Sequence, residues 1–204
     1  MATWHPLTPN DINAVISIAD KIHPDLPESA DVFLDRIAFY PDGCLALKVQ
    51  NNTSTSDQDP NREEAEVVGY AISHPIRRYN LPALNSLLRS EPNQAGSEAA
   101  KGEGENRHCY YYYIHDIAIL PAYQGKGLAG GCIRQLLGIA ERDRYPVTCL
   151  VSVYGTERFW GGFGFKRVDG GGDEEGVGAG EKLKEKLEGY GEGAVYLERE
   201  NRVA

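Results

Sequence analysis

The chain has 204 residues, 41% of them hydrophobic and 25% charged, which is the size and composition of one globular domain and excludes a disordered or membrane-embedded class. Its 21 basic residues face 30 acidic ones, and the resulting net charge of −9, with no sizeable basic cluster, argues against nucleic acid and suits a cationic partner. No apolar run approaches the ~18–20 residues of a membrane helix, and the start Met1-Ala2-Thr3-Trp4-His5-Pro6 lacks the pattern of a secretory signal.

In chain order, residues 3–7 read as a short strand. Residues 9–22 carry Ile12, Val15, Ile16 and Ala19 at helical spacing, with Thr8 or Asn10 to cap them. A second helix is expected over 29–39, on Val32, Phe33, Ile37 and Ala38. Residues 44–49 and 67–73 are strand-like, 81–88 a brief helix, and 109–120 a long strand of tyrosines and isoleucines. Ile133, Leu136, Leu137 and Ala140 mark a strong helix over 128–142. After it come a strand at 147–153, a short helix at 156–161, a strand at 163–168 and a last strand at 194–198. Helices interleaved with strands define an α/β protein with a mixed sheet.

Three stretches interrupt this order: 51–66 and 89–107 are polar, and 169–180 is rich in glycine and acid, followed by the helix-like EKLKEKLEG. All three read as loop insertions in a single domain spanning 1–204. The four cysteines, Cys44, Cys109, Cys132 and Cys149, never form a CxxC pair. They are expected to be reduced core thiols of a cytoplasmic protein, with no metal site.

The segment with legible chemistry is Tyr113 to Ala140. A strand ends at Leu120, Pro121 stops it, and Gln124-Gly125-Lys126-Gly127-Leu128-Ala129 opens a helix. Glycines here let the backbone turn with positive φ and approach a ligand, while the N–H groups of the helix start suit a pyrophosphate. Gly125-x-Gly127-x-x-Gly130 also fits the dinucleotide fingerprint GxGxxG. In that motif the glycines follow the strand directly and an acid closes the next strand; here Pro-Ala-Tyr-Gln intervenes and residues 147–153 hold no acid.

The segment resembles the acetyl-coenzyme A site of the GNAT superfamily of N-acetyltransferases, whose pattern Gln/Arg-x-x-Gly-x-Gly/Ala is met at every fixed position. Ile117-Ala118-Ile119-Leu120-Pro121 resembles the family's strand approach, and Phe159-Trp160-Gly161-Gly162-Phe163-Gly164-Phe165 its aromatic helix and Gly-Phe strand. The resemblance implies a mixed, mostly antiparallel sheet of about six to seven strands with about four helices. It implies a pantetheine arm along Ile117, Ala118 and Ile119, and a pyrophosphate on the amides of Gln124, Gly125, Lys126, Gly127, Leu128 and Ala129. A bulge would part that strand from its neighbour to hold the thioester, and a backbone N–H near 117–119 would face the developing oxyanion. Ser152, Phe159 and Trp160 take further cofactor positions.

The implied reaction moves an acetyl group from acetyl-CoA to a primary amine of a small molecule by direct attack. The alternatives are a protein or peptide amine, or a CoA-binding domain without catalysis. Oligomeric state is not legible. An amine near pKa ~10 must lose a proton, and His115 is the candidate base, since imidazole titrates near pKa ~6.5. Tyr113 shares its face by the strand period, and His115 matches the second histidine of the His-x-His in arylalkylamine acetyltransferases, with Tyr113 in place of the first. Asp116 is expected on the opposite face unless a bulge rotates it. Trp160 stands where the family has an acidic tyrosine, so Tyr154 is the candidate substitute acid; the alternative is that no acid is used, since a thiolate is a tolerable leaving group. His23 and Glu28, in the loop joining the first two helices, are candidate substrate contacts, and Tyr110 to Tyr113 a candidate aromatic lining.

Overall fold

The computed structural model describes residues 1–50, 65–90, 109–168 and 179–203. Seven strands form one sheet: β1 (Ala2–Pro6), β2 (Cys44–Val49), β3 (Glu66–Arg77), β4 (Tyr110–Ile119), β5 (Val147–Ser152), β6 (Lys166–Arg167) and β7 (Val195–Glu200). Their spatial order is β1-β2-β3-β4-β5-β7-β6. Only β4 and β5 run parallel; every other neighbouring pair is antiparallel. The helices are α1 (Ile12–Ile22), α2 (Ala30–Phe39), α3 (Leu128–Arg142), α4 (Glu157–Gly161) and α5 (Ala179–Glu188).

The helices cover both faces of the sheet. On one face, α3 buries Cys132, Ile133, Leu136, Leu137 and Ala140 against Leu45, Ala71, Tyr112, Ile114 and Leu150. The four-residue spacing of Cys132, Leu136 and Ala140 makes this one apolar stripe. On the other, Val15, Ile18 and Ala19 of α1 with Phe33 and Ile37 of α2 cover Cys44, Ala46, Tyr70, Ile72 and Ala118. A third cluster on Tyr111, Tyr113, Cys149 and Tyr196 is closed by Leu183 of α5. Fully burying one such aliphatic side chain contributes roughly 1.5–3 kcal/mol, so the stripes, more than helix propensity, hold the layers together.

Several expectations change. Five α-helices stand among the described residues where about four were expected. Residues 81–87 are not helical, and only a 3-10 turn over Leu88–Ser90 follows: Leu81 precedes a proline, which disfavours the helical region, and Asn85 sits at φ 57°. Of the strand expected over 163–168 only Lys166 and Arg167 pair, because Phe163 and Gly164 close a turn onto Trp160 and Gly161. Cys109 is exposed, unlike the other three cysteines, so it is no core thiol. The insertions expected at 51–66, 89–107 and 169–180 lie for the most part outside the described residues.

Candidate active site

The site originates in one irregularity of β4. Along β3, Ser73 faces Ile114 while Ile72 faces Asp116, so His115 is an extra residue with no partner of its own. An inserted residue resets the two-residue alternation of side chains. Tyr111, Tyr113 and His115 therefore project to the α1–α2 face, and so do Asp116 and Ala118. On its other edge β4 pairs with β5 only from Tyr112↔Thr148 to Ile114↔Leu150, while β5 continues along β7 as far as Ser152. Beyond Ile114 the two strands part. The edge of β4 over 115–119 faces no strand on that side among the described residues.

A cavity of about 180 Å³ occupies this gap, lined by Ile114 to Ile117 of β4, by Leu150, Val151, Val153, Tyr154 and Thr156, and by Phe159 and Trp160 of α4. Its remaining wall is Ala19, His23, Leu26, Glu28, Phe33, Leu84 and Tyr190. Glu28 is held there by tertiary contacts: the Asn85 amide donates to its Oε1 at 3.2 Å, and Arg36, fully buried in α2, approaches the same oxygen at 3.5 Å.

Two imidazole–carboxylate pairs face the cavity. In the inner pair His115 Nε2 lies 2.7 Å from Glu28 Oε2, with side chains only 2% and 6% exposed. Burial pushes the Glu28 carboxyl up, but His115, Arg36 and the Asn85 amide outweigh it and hold the pKa at about 2. A carboxylate can only accept here, so the proton of neutral His115 is assigned to Nε2, leaving Nδ1 buried with no hydrogen-bond partner among the described residues. His74 and Tyr113 pack against the ring, at 6.0 and 5.7 Å between centroids.

In the outer pair His23 Nε2 lies 3.0 Å from Asp116 Oδ1, within ion-pair distance, with 15% and 17% exposure. The Tyr70 hydroxyl donates a short hydrogen bond to the other Asp116 oxygen. Burial lowers the pKa of His23, yet Asp116 and then Glu28 more than offset it, so the value is raised. Tyr154, at φ 55° and 55% exposed, lays its ring parallel to His23 at 5.8 Å.

The glycine turn lies at the end of β4. Gly125 and Gly127 adopt φ 72° and 75°, and a Cβ on either would meet no atom within 4 Å. Gly127 caps α3, whose first N–H groups have no intrahelical acceptor. The turn is pinned by Gln124 Nε2, which donates to Ile119 O at 2.7 Å, and by Lys126 Nζ, which donates to Ala122 O at 2.8 Å. Leu128 and Ala129 are half-buried, and the Trp4 indole N–H holds the Leu128 carbonyl at 3.0 Å. Ala118 and Ile119 bury their side chains, so only their backbone is available to a ligand.

The structure thus brings His115, Glu28, His23, Tyr154, Ile117, Phe159 and Trp160 to one cavity. Ala118, Ile119 and the turn residues Gln124 to Ala129 lie outside its lining, and so do Tyr113 and Ser152. Tyr113 is fully buried, its hydroxyl 3.2 Å from that of Tyr190, and burial drives the phenol well above its ordinary pKa. Ser152 is buried and paired with Thr156 at 3.0 Å; Thr156 takes the wall position instead. Tyr111 to Tyr113 are core residues and do not line the cavity. Asp116 was expected on the opposite face unless a bulge rotated it, and the bulge at His115 does so. Arg36, Tyr70 and Thr156 went unread, because nothing local distinguishes them from ordinary helix, strand and loop residues.

The model of the Acetyltransferase (GNAT) family matches residues 24–165, well over half of the chain, which therefore belongs to that family. By membership it is an acetyltransferase, an enzyme of the acyltransferase class. Among solved structures it is similar to Arabidopsis thaliana NAA60 in complex with a bisubstrate analogue, at 14% identity, 100% coverage of both chains and a TM-score of 0.60. It is similar to Rv2747 from Mycobacterium tuberculosis in complex with CoA and NLQ, at 14% identity, TM-score 0.60, covering 97% of this chain and 98% of that one. The ribosomal-protein-S18-alanine N-acetyltransferase from Escherichia coli is a third, at 15% identity, TM-score 0.55, covering 100% and 96%. At such identities the likeness is one of fold. None of the curated proteins matches the sequence.

Proposed function

We propose that this chain transfers the acetyl group of acetyl-CoA to a primary amine of a small molecule, by direct attack and without a covalent enzyme intermediate. The observation that carries this reading is the adjacency of a free β4 edge over 115–119, an open glycine turn at Gly125 and Gly127, and a cavity holding two imidazole–carboxylate pairs. The residues present fit the donor: the backbone of Ile117 to Ile119 would hold the pantetheine arm, and the amides of Gln124 to Ala129 the pyrophosphate. When bound, acetyl-CoA supplies a reactive acyl thioester.

The backbone N–H groups beside the gap are donors for the negative charge that develops during attack. Glu28 and Asp116 make the far wall acidic, which favours an acceptor arriving as an ammonium, and one of the two histidines takes its proton. No buried cysteine serves as a nucleophile: burial pushes Cys44 up to about 12 and the thiols of Cys132 and Cys149 higher still. Tyr154 is the cavity phenol available to protonate the departing thiolate. The free thiols support a cytoplasmic setting as part of this reading.

A second acceptor class is favoured by the structural neighbours, several of which, such as Arabidopsis thaliana Naa50 with the bisubstrate analogue CoA-Ac-MVNAL, are described with peptide-like ligands. Thiol release from acetyl-CoA against a panel of small primary amines tests the main reading, and intact-mass shifts on peptides test the second. Tight CoA binding without thiol release in any assay would leave only a binding domain.

A further inference from the structure

We infer that His23, poised by Asp116, and not His115 is the group that takes the proton from the acceptor amine; the inference rests on the acetyltransferase reading above. Both histidines border the cavity, and in both Nδ1 is buried and without a partner among the described residues. Their surroundings differ. His115 is 2% exposed, its Nε2 engaged by Glu28, its ring hemmed in by Tyr113 and the fully buried His74. An amine and the water that must carry its proton away have little room there. His23 stands at the cavity mouth under the exposed ring of Tyr154, and its carboxylate partner is itself fixed by the Tyr70 hydroxyl. This is the arrangement of a base with an orienting acid behind it.

The proton balance is simple. Asp116 at Nε2 keeps one proton on that nitrogen and leaves the lone pair at Nδ1. The acceptor ammonium gives its proton to Nδ1, producing a neutral amine and an imidazolium neutralised by Asp116. The imidazolium passes that proton to water. As the C–S bond breaks, the attacking nitrogen gives up its second proton to the freed Nδ1, from which it reaches the departing thiolate. One proton thus ends on the CoA thiol and one in solvent. His115 and Glu28 then act as a structural clamp on the bulge that places Asp116 in the cavity. Asp116 is a positioning residue, acting through His23.

The groups facing His23 are Asp116 on β4 (with Tyr70 on β3 behind it), Glu28 on its own loop, and Tyr154 after β5, which Asp25 and Asp116 face in turn. The carboxylates raise its pKa against burial, so the neutral, proton-accepting form is lost as pH falls through a value above that of a free imidazole.

Two readouts test the assignment. Imidazole C–H resonances need no acceptor: the signal absent from His23→Gln should titrate above the ordinary histidine value in the wild type and at lower pH in Asp116→Asn. The second is the pH profile of kcat/KM with acetyl-CoA and either 2-phenylethylamine or an alanine-initiated hexapeptide. His23→Gln should lose the acidic limb and roughly 10²–10⁴-fold in rate, Asp116→Asn should move that limb to lower pH, and His115→Gln should retain it. An active wild type whose His23→Gln variant keeps its profile, or whose His115→Gln variant alone loses the limb, overturns the assignment and leaves the function standing. An unshifted His23 signal in Asp116→Asn overturns it too. A wild type that releases no thiol with either acceptor overturns both.

Discussion

His115 and Asp116 are consecutive in the chain, yet both project from the same face of β4, where each meets a partner from the segment between α1 and α2. A regular strand would send one of them to each side of the sheet. The bulge therefore creates the site: without it His115 or Asp116 would lie under α3, and one of the two pairs would not form.

The cofactor cradle is tested at Gly127. Because its φ is 75°, a side chain there costs about 1 kcal/mol of backbone strain, but nothing surrounds the added Cβ, so the variant should still fold. Gly127→Asp would set a carboxylate where the pyrophosphate is expected and should abolish CoA binding by calorimetry. Unchanged affinity in the folded variant would remove the turn from the site.

Glu28 gives a pH dependence with a definite sign. Its folded pKa of about 2 lies below the ordinary 4.5, so the ionised form contributes stability above pH 4.5, and that contribution is lost as pH falls from 4.5 through 2. Its upper bound is roughly 3 kcal/mol. Denaturant unfolding of wild type and Glu28→Gln should show a stability gap that closes over that window. A gap constant from pH 6 to pH 2 would contradict the pairing.

Removing the imidazole partner exposes the cost of the inner pair. His115→Ala leaves the Glu28 carboxylate buried beside Arg36 with one partner fewer, and breaking a buried pair in this way typically costs ~3–5 kcal/mol. The midpoint of urea unfolding should fall accordingly. A variant as stable as the wild type would mean the clamp is dispensable.

Two tyrosines should separate cleanly. Tyr113→Phe removes a buried hydroxyl 3.2 Å from Tyr190, so it should cost about 1 kcal/mol of stability and leave kcat unchanged. Tyr154→Phe preserves the stack on His23 and removes only the hydroxyl, so a fall in kcat with unchanged amine KM would report proton donation. Trp160→Phe, which alters packing against Phe159 and Phe165, should act on KM. Full kcat in Tyr154→Phe would mean the thiolate leaves without an acid.

The sequence by itself determined the α/β class, the α3 helix to the residue, and the glycine turn at Gly125 and Gly127. These are local properties: an apolar period, a proline stop, and backbone angles that only glycine adopts cheaply. It also put His115, His23, Glu28 and Tyr154 among the candidates, because residue type and position in a motif or loop are legible without coordinates. What it left open is which of them meet. Whether Asp116 faces the cavity depends on one extra residue opposing β3, and a bulge of that kind has no signature in the tyrosines and isoleucines of β4. Tyr113 looked equivalent to His115 by period, but α5 and Tyr190, distant in sequence, sealed it in the core. Arg36 and Asn85 fix Glu28 from 8 and 57 residues away, and Tyr70 fixes Asp116 from 46. Tertiary structure decided these pairings because burial and charge act through space, where separation along the chain carries no weight.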